Sequence, residues 1–489
     1  MVEGIEPFGL MLMGASAVVV LALLSNRMCH RLRVPAPAVF LVAAAAARDL
    51  FPALGRVPVE TVEQIVTVAL VLILFDGGMH IGLPRLRTAL GSVLTVGVLG
   101  TFLTAGALAV LAHLVAGLPW PVALLVGTAL APTDPAVVFS VLGNWEVEGR
   151  TGVLLEGESG ANDPVGIALL VSLLGAGSSL GLTAAAGVLG EFALQMVVGA
   201  VVGIAGGYAL LAALRRLPLP SGGLYPLLTL ATSIGLYGLA TVGRGSGFLA
   251  VFVAGILLGD AAAPFKADVE RFHASLASLS EIIAFVALGV TVSISDLASS
   301  NAWLIGLLIA VLLTLVVRPL AVGPFLWATR LRTGERLFVL WSGLKGAVPI
   351  LLGTYLSGSD AARQYHAYEI IVVVVAFSVV VQGALVPTVA AWLSVPMRAV
   401  EPRPWALGVR LRDQPLGACR YRIAAGAPAD GRSVRDLHLG QDIWISLVVR
   451  KGRSLRVRGE TTLQSGDEVL LLTDPDTDHD LAAIFTTVR

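Results

Sequence analysis

Glu156-Gly157-Glu158-Ser159-Gly160-Ala161-Asn162-Asp163-Pro164 opens an otherwise apolar segment that continues through Val165, Ile167, Leu169, Leu170 and Val171. Two glutamates stand near its start, and Asp163 stands where the apolar run begins. An ionised group at hydrocarbon depth is expensive unless it is paired or faces a wet cavity. A carboxylate in that position points to ion or proton handling, and the rest of the chain reads as a frame for it.

Outward from this stretch the composition sets the class. The 489 residues are 56% hydrophobic and 13% charged, where an ordinary soluble domain is about 25% charged. Thirteen apolar segments follow one another at 7–24, 36–51, 63–79, 88–115, 120–142, 153–176, 189–213, 222–242, 246–260, 275–294, 302–328, 336–356 and 367–394. Runs of about 20 apolar residues are long enough to cross a bilayer as helices. The expected fold is an all-α polytopic membrane protein of about 13 transmembrane helices over residues 1–394. The net charge is zero, so no basic footprint argues for nucleic acid as a partner. Cys29 and Cys419 lie far apart, which argues against a disulfide framework or a metal site. Glu3 and Glu6 precede the first apolar run and Arg27, Arg31 and Arg33 follow it, the reverse of a cleavable signal.

Lys and Arg in the short connections give the orientation. With the N-terminus outside, the inner connections carry 14 basic residues and the outer ones only Arg48, Arg56, Arg244 and Arg363. The C-terminus is then cytoplasmic, in a cell membrane. Two basic residues fall inside the apolar segments away from their ends, Arg318 and Lys345. Buried charges in membranes pair. The available acids are Asp76, Asp134, Glu156, Glu158, Asp163, Asp260 and Glu281, and Glu281 is a candidate partner for Arg318. The seventh segment carries Gly199, Gly203 and Gly207 at a spacing of four, the pattern of close helix–helix packing.

Two segments are interrupted. The fifth contains Ala131-Pro132-Thr133-Asp134-Pro135, a carboxylate between two prolines. The twelfth contains Ser342-Gly343-Leu344-Lys345-Gly346-Ala347-Val348-Pro349. Proline removes backbone hydrogen bonds, and unwound backbone is tolerated at membrane depth only inside protein or along a cavity. In a 6+1+6 arrangement both breaks occupy the fifth position of their half. Paired broken helices in corresponding positions point to a transport site at an inverted-repeat interface. Where they cross, Asp134 and Lys345 are placed to neutralise opposed helix ends. Asp163 can hold a proton or a hard monovalent cation but not both, which is sufficient for exchange. Asn162 beside it is neutral, so one exchangeable charge is expected, and electroneutral exchange with it. Ser159, Thr133 and backbone carbonyls are the neutral oxygen donors.

These residues resemble three signatures of the monovalent cation:proton antiporter-1 family, the sodium/proton exchanger group: Thr133-Asp134-Pro135, Glu158 to Pro164, and Gly343-Leu344-Lys345-Gly346-Ala347-Val348-Pro349. The resemblance covers residues 7–394. It implies that Asp163 exchanges the ion and that Asn162 orients its helix. It places Asp134 and Thr133 at the crossing, with Thr133 and Ser159 as ligands. It also implies a buried structural pair between Glu158 and residue 345, where the family has Arg and this chain has Lys. Asp76, in Leu74-Phe75-Asp76-Gly77-Gly78, stands where such exchangers carry an acid near the cation path. The implied transported partners are K+ or Na+ and H+. A homodimer among membrane lipids is implied as well.

Pro396, Pro402 and Pro404 mark a linker, 395–405, and the chain beyond residue 400 holds 13 basic and 12 acidic residues. Residues 406–489 are expected to form a small α+β domain. Strands are expected at Tyr421–Ala425, Ile443–Val449 and Glu468–Thr473, and short helices at Ser433–Leu437 and Asp478–Ile484. No Gly-x-Gly-x-x-Gly loop supports dinucleotide binding of that kind. Gly431 to Leu437, Val448 to Gly452 and Leu463 to Val469 resemble the TrkA-C domain of potassium transport proteins, which implies the bacterial potassium/proton antiporter subgroup. Such domains bind small regulatory ligands, in some cases a cyclic dinucleotide, and no other cofactor is expected. Two rival classes fit poorly. An intramembrane aspartyl protease needs a Gly-x-Gly-Asp run, which the chain lacks. A channel needs a repeated filter loop; a non-transporting sensor gated by the tail is the related alternative.

Overall fold

The computed structural model describes residues 5–32, 35–142, 145–147, 149–177, 181–399, 418–437, 439, 443–450, 453–473 and 481–485. They divide into two compact units, within Met1–Ala262 plus Lys266–Glu401 and within Ala263–Phe265 plus Pro402–Arg489.

The large unit is helical. Besides two short helices, Ile294–Ser299 and Asp360–Gln364, its helices are α1 (Ile5–Leu32), α2 (Ala36–Leu50), α3 (Val59–Ile81), α4 (Leu83–Ala116), α5 (Trp120–Ala129), α6 (Ala136–Leu142), α7 (Gly149–Ala176), α8 (Leu182–Arg216), α9 (Leu224–Val242), α10 (Gly247–Gly259), α11 (Lys266–Thr291), α12 (Ala302–Trp327), α13 (Thr333–Trp341), α14 (Ala347–Leu356) and α15 (Ala367–Trp392). Helix occupies every one of the thirteen expected apolar segments. Among the described residues eight helices are long and apolar enough to cross a membrane, α3, α4, α7, α8, α9, α11, α12 and α15. The shorter apolar pieces include α5, α10 and α14.

Close backbone approach holds these helices together. The expected glycine face of α8 packs on α10: a Cβ at Gly199 would meet the backbone of Ser246, one at Gly203 that of Ala250, and one at Gly207 the Ala254 Cα. The other side of α10 meets α3 in the same manner, with Gly255 against Phe75 O and Gly78 against Phe252 O. Small residues let van der Waals contact replace the hydrophobic drive that lipid cannot supply.

Three helices contain a π turn: Thr95–Leu99 in α4, Leu313–Val317 in α12 and Ser378–Gln382 in α15. Hydrophobic periodicity carries no signal for these turns. A short antiparallel pair, β1 (Trp145–Val147) with β2 (Met397–Ala399), was also not expected, and β2 lies in the stretch read as linker.

The small unit is a four-stranded antiparallel sheet of β3 (Ala418–Arg422), β4 (Ile443–Arg450), β5 (Arg453–Leu455) and β6 (Glu468–Thr473), in the order β3-β6-β4-β5. A helix, α16 (Leu481–Phe485), and a single 3-10 turn at Arg435–Leu437 complete it. Ile423, Ile445, Val448, Leu463, Val469, Leu471 and Phe485 form its core. The first strand begins three residues before its expected start, and β5 was not expected. Residues 478–480 of the expected last helix lie outside the described residues. Asp467, buried in this unit, accepts from Arg450 Nε at 2.8 Å and Nη2 at 2.7 Å. These bonds hold the guanidinium further in its charged form.

Candidate functional site

The site is built where the two interrupted helices meet. Helix α5 stops at Ala129, because Pro132 and Pro135 cannot donate to the turns before them, and α6 restarts at Ala136. Helix α13 stops at Trp341, and α14 restarts after Gly346. The breaks touch directly: the Asp134 N–H donates to Leu344 O at 2.8 Å.

Every break leaves orphan backbone groups, and the side chains of Lys345, Arg318 and Asp134 satisfy several of them. Lys345 Nζ donates to Ala131 O and to Pro132 O, each at 3.0 Å, just past the C-terminal end of α5. Arg318 does the same for α13, with Nε to Leu340 O at 2.9 Å and Nη2 to Val339 O at 3.1 Å. Asp134 serves the opposite ends. Its Oδ1 accepts from the Ala136 N–H at 2.9 Å, at the start of α6, and the Ala347 N–H at the start of α14 also bonds to it. Cations thus stand at two helix C-terminal ends and an anion at two N-terminal ends, as the helix dipoles favour. Gly346 is required for this closeness, since a Cβ there would strike the Asp134 carboxylate.

Asn162 holds the first break from α7. Its Oδ1 accepts from the Thr133 N–H at 3.3 Å and its Nδ2 donates to Thr133 Oγ1 at 2.7 Å. The Thr133 hydroxyl in turn faces Glu158 Oε1 at 3.5 Å. Both Thr133 and Asn162 are therefore engaged with protein.

The expected pair of Glu158 with Lys345 is corrected. Glu158 pairs with Arg318, Nη1 to Oε1 at 2.9 Å and Nη2 to Oε2 at 3.1 Å, both side chains being 3% exposed. The reason is geometric. The planar guanidinium grips two carboxylate oxygens at once, while the Lys345 ammonium is taken up by the Ala131 and Pro132 carbonyls. Glu281 is accordingly not the partner of Arg318.

Beside the crossing lies a cavity of about 390 Å³. Asp163, Asp134, Ser159, Asp76, Glu156 and Glu281 line it, with His80 and with Phe252 and Phe285 on its apolar walls. Asp163 is only 7% exposed, and its Oδ1 has no hydrogen-bond partner among the described residues. Ser159, one turn earlier on α7, sits next to it, and Asp134 and Lys345 are the charges that act on it most. Asp76 Oδ1 and Glu281 Oε1 are likewise buried without a partner among the described residues. The other Asp76 oxygen lies 3.3 Å from His80 Nδ1. Of the six residues expected at the ion site, Asp163, Asp134, Ser159 and Asp76 open on one cavity, and Thr133 and Asn162 stand behind it. Sequence reasoning missed Arg318 as the partner of Glu158, and it missed Ser378 and Gln382 altogether. The only available signal was an isolated polar pair four residues apart in a Val-rich helix.

A bare carboxylate oxygen between a broken-helix crossing and a polar cavity can accept a proton or a desolvated cation. Comparison with known proteins agrees with that chemistry. The model of the transmembrane sodium/hydrogen exchanger matches residues 16–392, and the TrkA-C domain model matches residues 419–486. The K(+)/H(+) antiporter NhaP of Alkalimonas amylolytica is 33% identical over 83% of this chain and 71% of its own length. The K(+)/H(+) antiporter NhaP2 of Shewanella sp. (strain MR-4) is 31% identical over 94% of this chain and 80% of its own. The solved sodium proton antiporter MjNhaP1 of Methanocaldococcus jannaschii shares the fold, with a TM-score of 0.66 at 23% identity over 79% of this chain and 98% of that one. The readings as enzyme, channel and sensor fall away with these matches. The chain belongs to the sodium/hydrogen exchanger family and is a membrane cation:proton antiporter with a TrkA-C domain.

Proposed function

We propose that the chain exchanges potassium, and sodium as the second candidate, for protons in a one-for-one, electroneutral cycle centred on Asp163. The observation that carries this reading is the Asp163 Oδ1, buried at the crossing and without a hydrogen-bond partner among the described residues. Asp134 faces the same cavity, but two helix N-termini occupy it. Asp163 is thus the carboxylate whose partner can change during a cycle. Loading it with one proton or one K+ leaves the same net charge, so the loaded carrier crosses with no net charge movement. Asp134 and Ser159 stand within the same cavity wall to share the cation, and Asp76 lies further along the path. Access alternates between the two membrane faces as the helices around the crossing rearrange.

Potassium is favoured because two relatives are named for potassium/proton exchange and both match more than four-fifths of this chain. The TrkA-C module points the same way. The excess of Lys and Arg in alternate connections supports an outer N-terminus and a cytoplasmic tail in the cell membrane. The tail is the place for a small regulatory ligand, for example a cyclic dinucleotide, and the assembly is a homodimer in lipid. The test uses proteoliposomes with an imposed proton gradient, a trapped pH dye and a separate potential-sensitive dye. Potassium-driven alkalinisation with a silent potential dye is expected. A potential change that scales with flux would overturn the electroneutral cycle, and a response to sodium alone would overturn the choice of cation.

A further inference from the structure

We infer that Ser378 and Gln382, on the π turn of α15, are positioning residues for cation binding and the second-half counterpart of Asn162. The inference deepens the proposed ion site and rests on it.

The two sixth helices of the halves, α7 and α15, each hold the broken fifth helix of their own half. On α7, Asn162 takes the Thr133 N–H and donates to the Thr133 hydroxyl. On α15, Ser378 Oγ takes the Lys345 N–H at 2.9 Å and donates to Gln382 Oε1 at 3.2 Å. Gln382 Nε2 then donates to Trp341 O at 2.5 Å, and the Trp341 indole N–H returns to Gln382 O at 3.3 Å. Thr314, on the π turn of α12, shares its hydroxyl proton between Ala310 O at 3.0 Å and Gln382 Oε1 at 3.3 Å. Ser378, Gln382 and Lys345 are all nine-tenths buried or more.

With Arg318, this network accounts for the orphan carbonyls of α13 one by one. Phe338 O takes the Ser342 N–H, Val339 O and Leu340 O take Arg318, and Trp341 O takes Gln382. The π turn is what allows it. An extra residue in the turn rotates the helix locally, as π turns do at functional sites, and brings Ser378 and Gln382 onto the face that meets the break.

The consequence reaches the ion. Ser378 fixes the Lys345 backbone, the Lys345 ammonium fixes the Ala131 and Pro132 carbonyls, and the next two residues are Thr133 and Asp134. A side chain in the second half therefore sets ligand geometry in the first. Removing one such hydrogen bond weakens the geometry it holds by about three- to tenfold in an equilibrium constant.

The test is cation-dependent flux in proteoliposomes for Ser378→Ala, Ser378→Thr and Asp163→Asn, each with a melting curve. Ser378→Ala is expected to raise the apparent KM for the cation about three- to tenfold, with the maximal rate within about twofold. Ser378→Thr keeps the Oγ and is expected to restore the KM. A normal KM in Ser378→Ala overturns the inference, whether or not the melting point falls, because a packing role moves stability alone. If Ser378→Ala does not fold, Thr314→Val is read in its place: a raised KM supports the clamp and an unchanged KM overturns it. Asp163→Asn separates the two claims. Loss of flux there with a normal KM in Ser378→Ala sinks only the clamp, whereas normal flux in Asp163→Asn sinks the ion site beneath it.

Discussion

Arg318 and Glu158 lie 160 residues apart and meet through two nitrogen–oxygen contacts of 2.9 and 3.1 Å, away from solvent. The same guanidinium also bonds two carbonyls at the end of α13. Arg318 therefore ties α7 to the second broken helix. Gly343 makes room for it, since a Cβ there would overlap the guanidinium. Arg318→Ala would strand a buried carboxylate and two carbonyls, and breaking such a pair costs about 3–5 kcal/mol. A double-mutant cycle of Glu158→Gln with Arg318→Met should give a coupling energy above about 1 kcal/mol, and one with Lys345→Met a smaller value. A larger coupling for Lys345, read from melting of the purified protein, would restore it as the partner of Glu158.

Gly346 carries no chemistry of its own, yet a methyl group there would collide with the Asp134 carboxylate. Gly346→Ala is expected to displace Asp134 from the two helix N-termini it serves and to abolish most transport. The small unit is separate in sequence, so its own unfolding should be unchanged. Wild-type flux in Gly346→Ala would show that the crossing tolerates a wider approach.

The proposed competition for one carboxylate fixes the sign of the pH dependence. Protons and cations that exclude each other from Asp163 raise the apparent KM for the cation as pH falls, by about tenfold per pH unit once the proton is the dominant occupant. The maximal rate at saturating cation should change far less. An initial-rate series at several pH values with equal pH on both sides checks this. A KM independent of pH, with the maximal rate carrying the whole effect, would mean that proton and cation occupy different groups.

In the small unit the Arg450 guanidinium is part-exposed, while Asp467 is buried and also accepts from the Gln464 N–H at 2.9 Å. Arg450→Ala leaves that carboxylate with an incomplete set of partners, a loss of about 1–3 kcal/mol. The stabilisation from a raised guanidinium pKa is fully present below the unfolded value and is lost only above it, beyond about pH 12. Melting of this unit should thus respond to the mutation and not to mild alkali. Equal melting of Arg450→Ala and wild type would make the pair a surface contact of no weight.

The fold was legible because hydrophobic runs and prolines report on lipid, which is a simple solvent. The glycine face of α8 was legible for the same reason, as spacing alone fixes which atoms come close. Asp163, Asp134 and Asn162 stood out as polar residues amid apolar ones. The pairing of Glu158 was not legible, because two basic residues were available and only the local backbone decides which reaches the acid. Lys345 goes to the carbonyls because its own chain break faces them. Ser378 and Gln382 stayed hidden because a π turn changes the helical face without changing the composition, and the face is what gives these residues their partners.

The most direct test of the central claim uses proteoliposomes with a trapped pH dye, an imposed proton gradient and added potassium, comparing wild type with Asp163→Asn. Prompt alkalinisation is expected in wild type and none in the variant, with both proteins melting as folded species. Equal alkalinisation in the two would contradict it and move the exchanging carboxylate to Asp134 or Asp76.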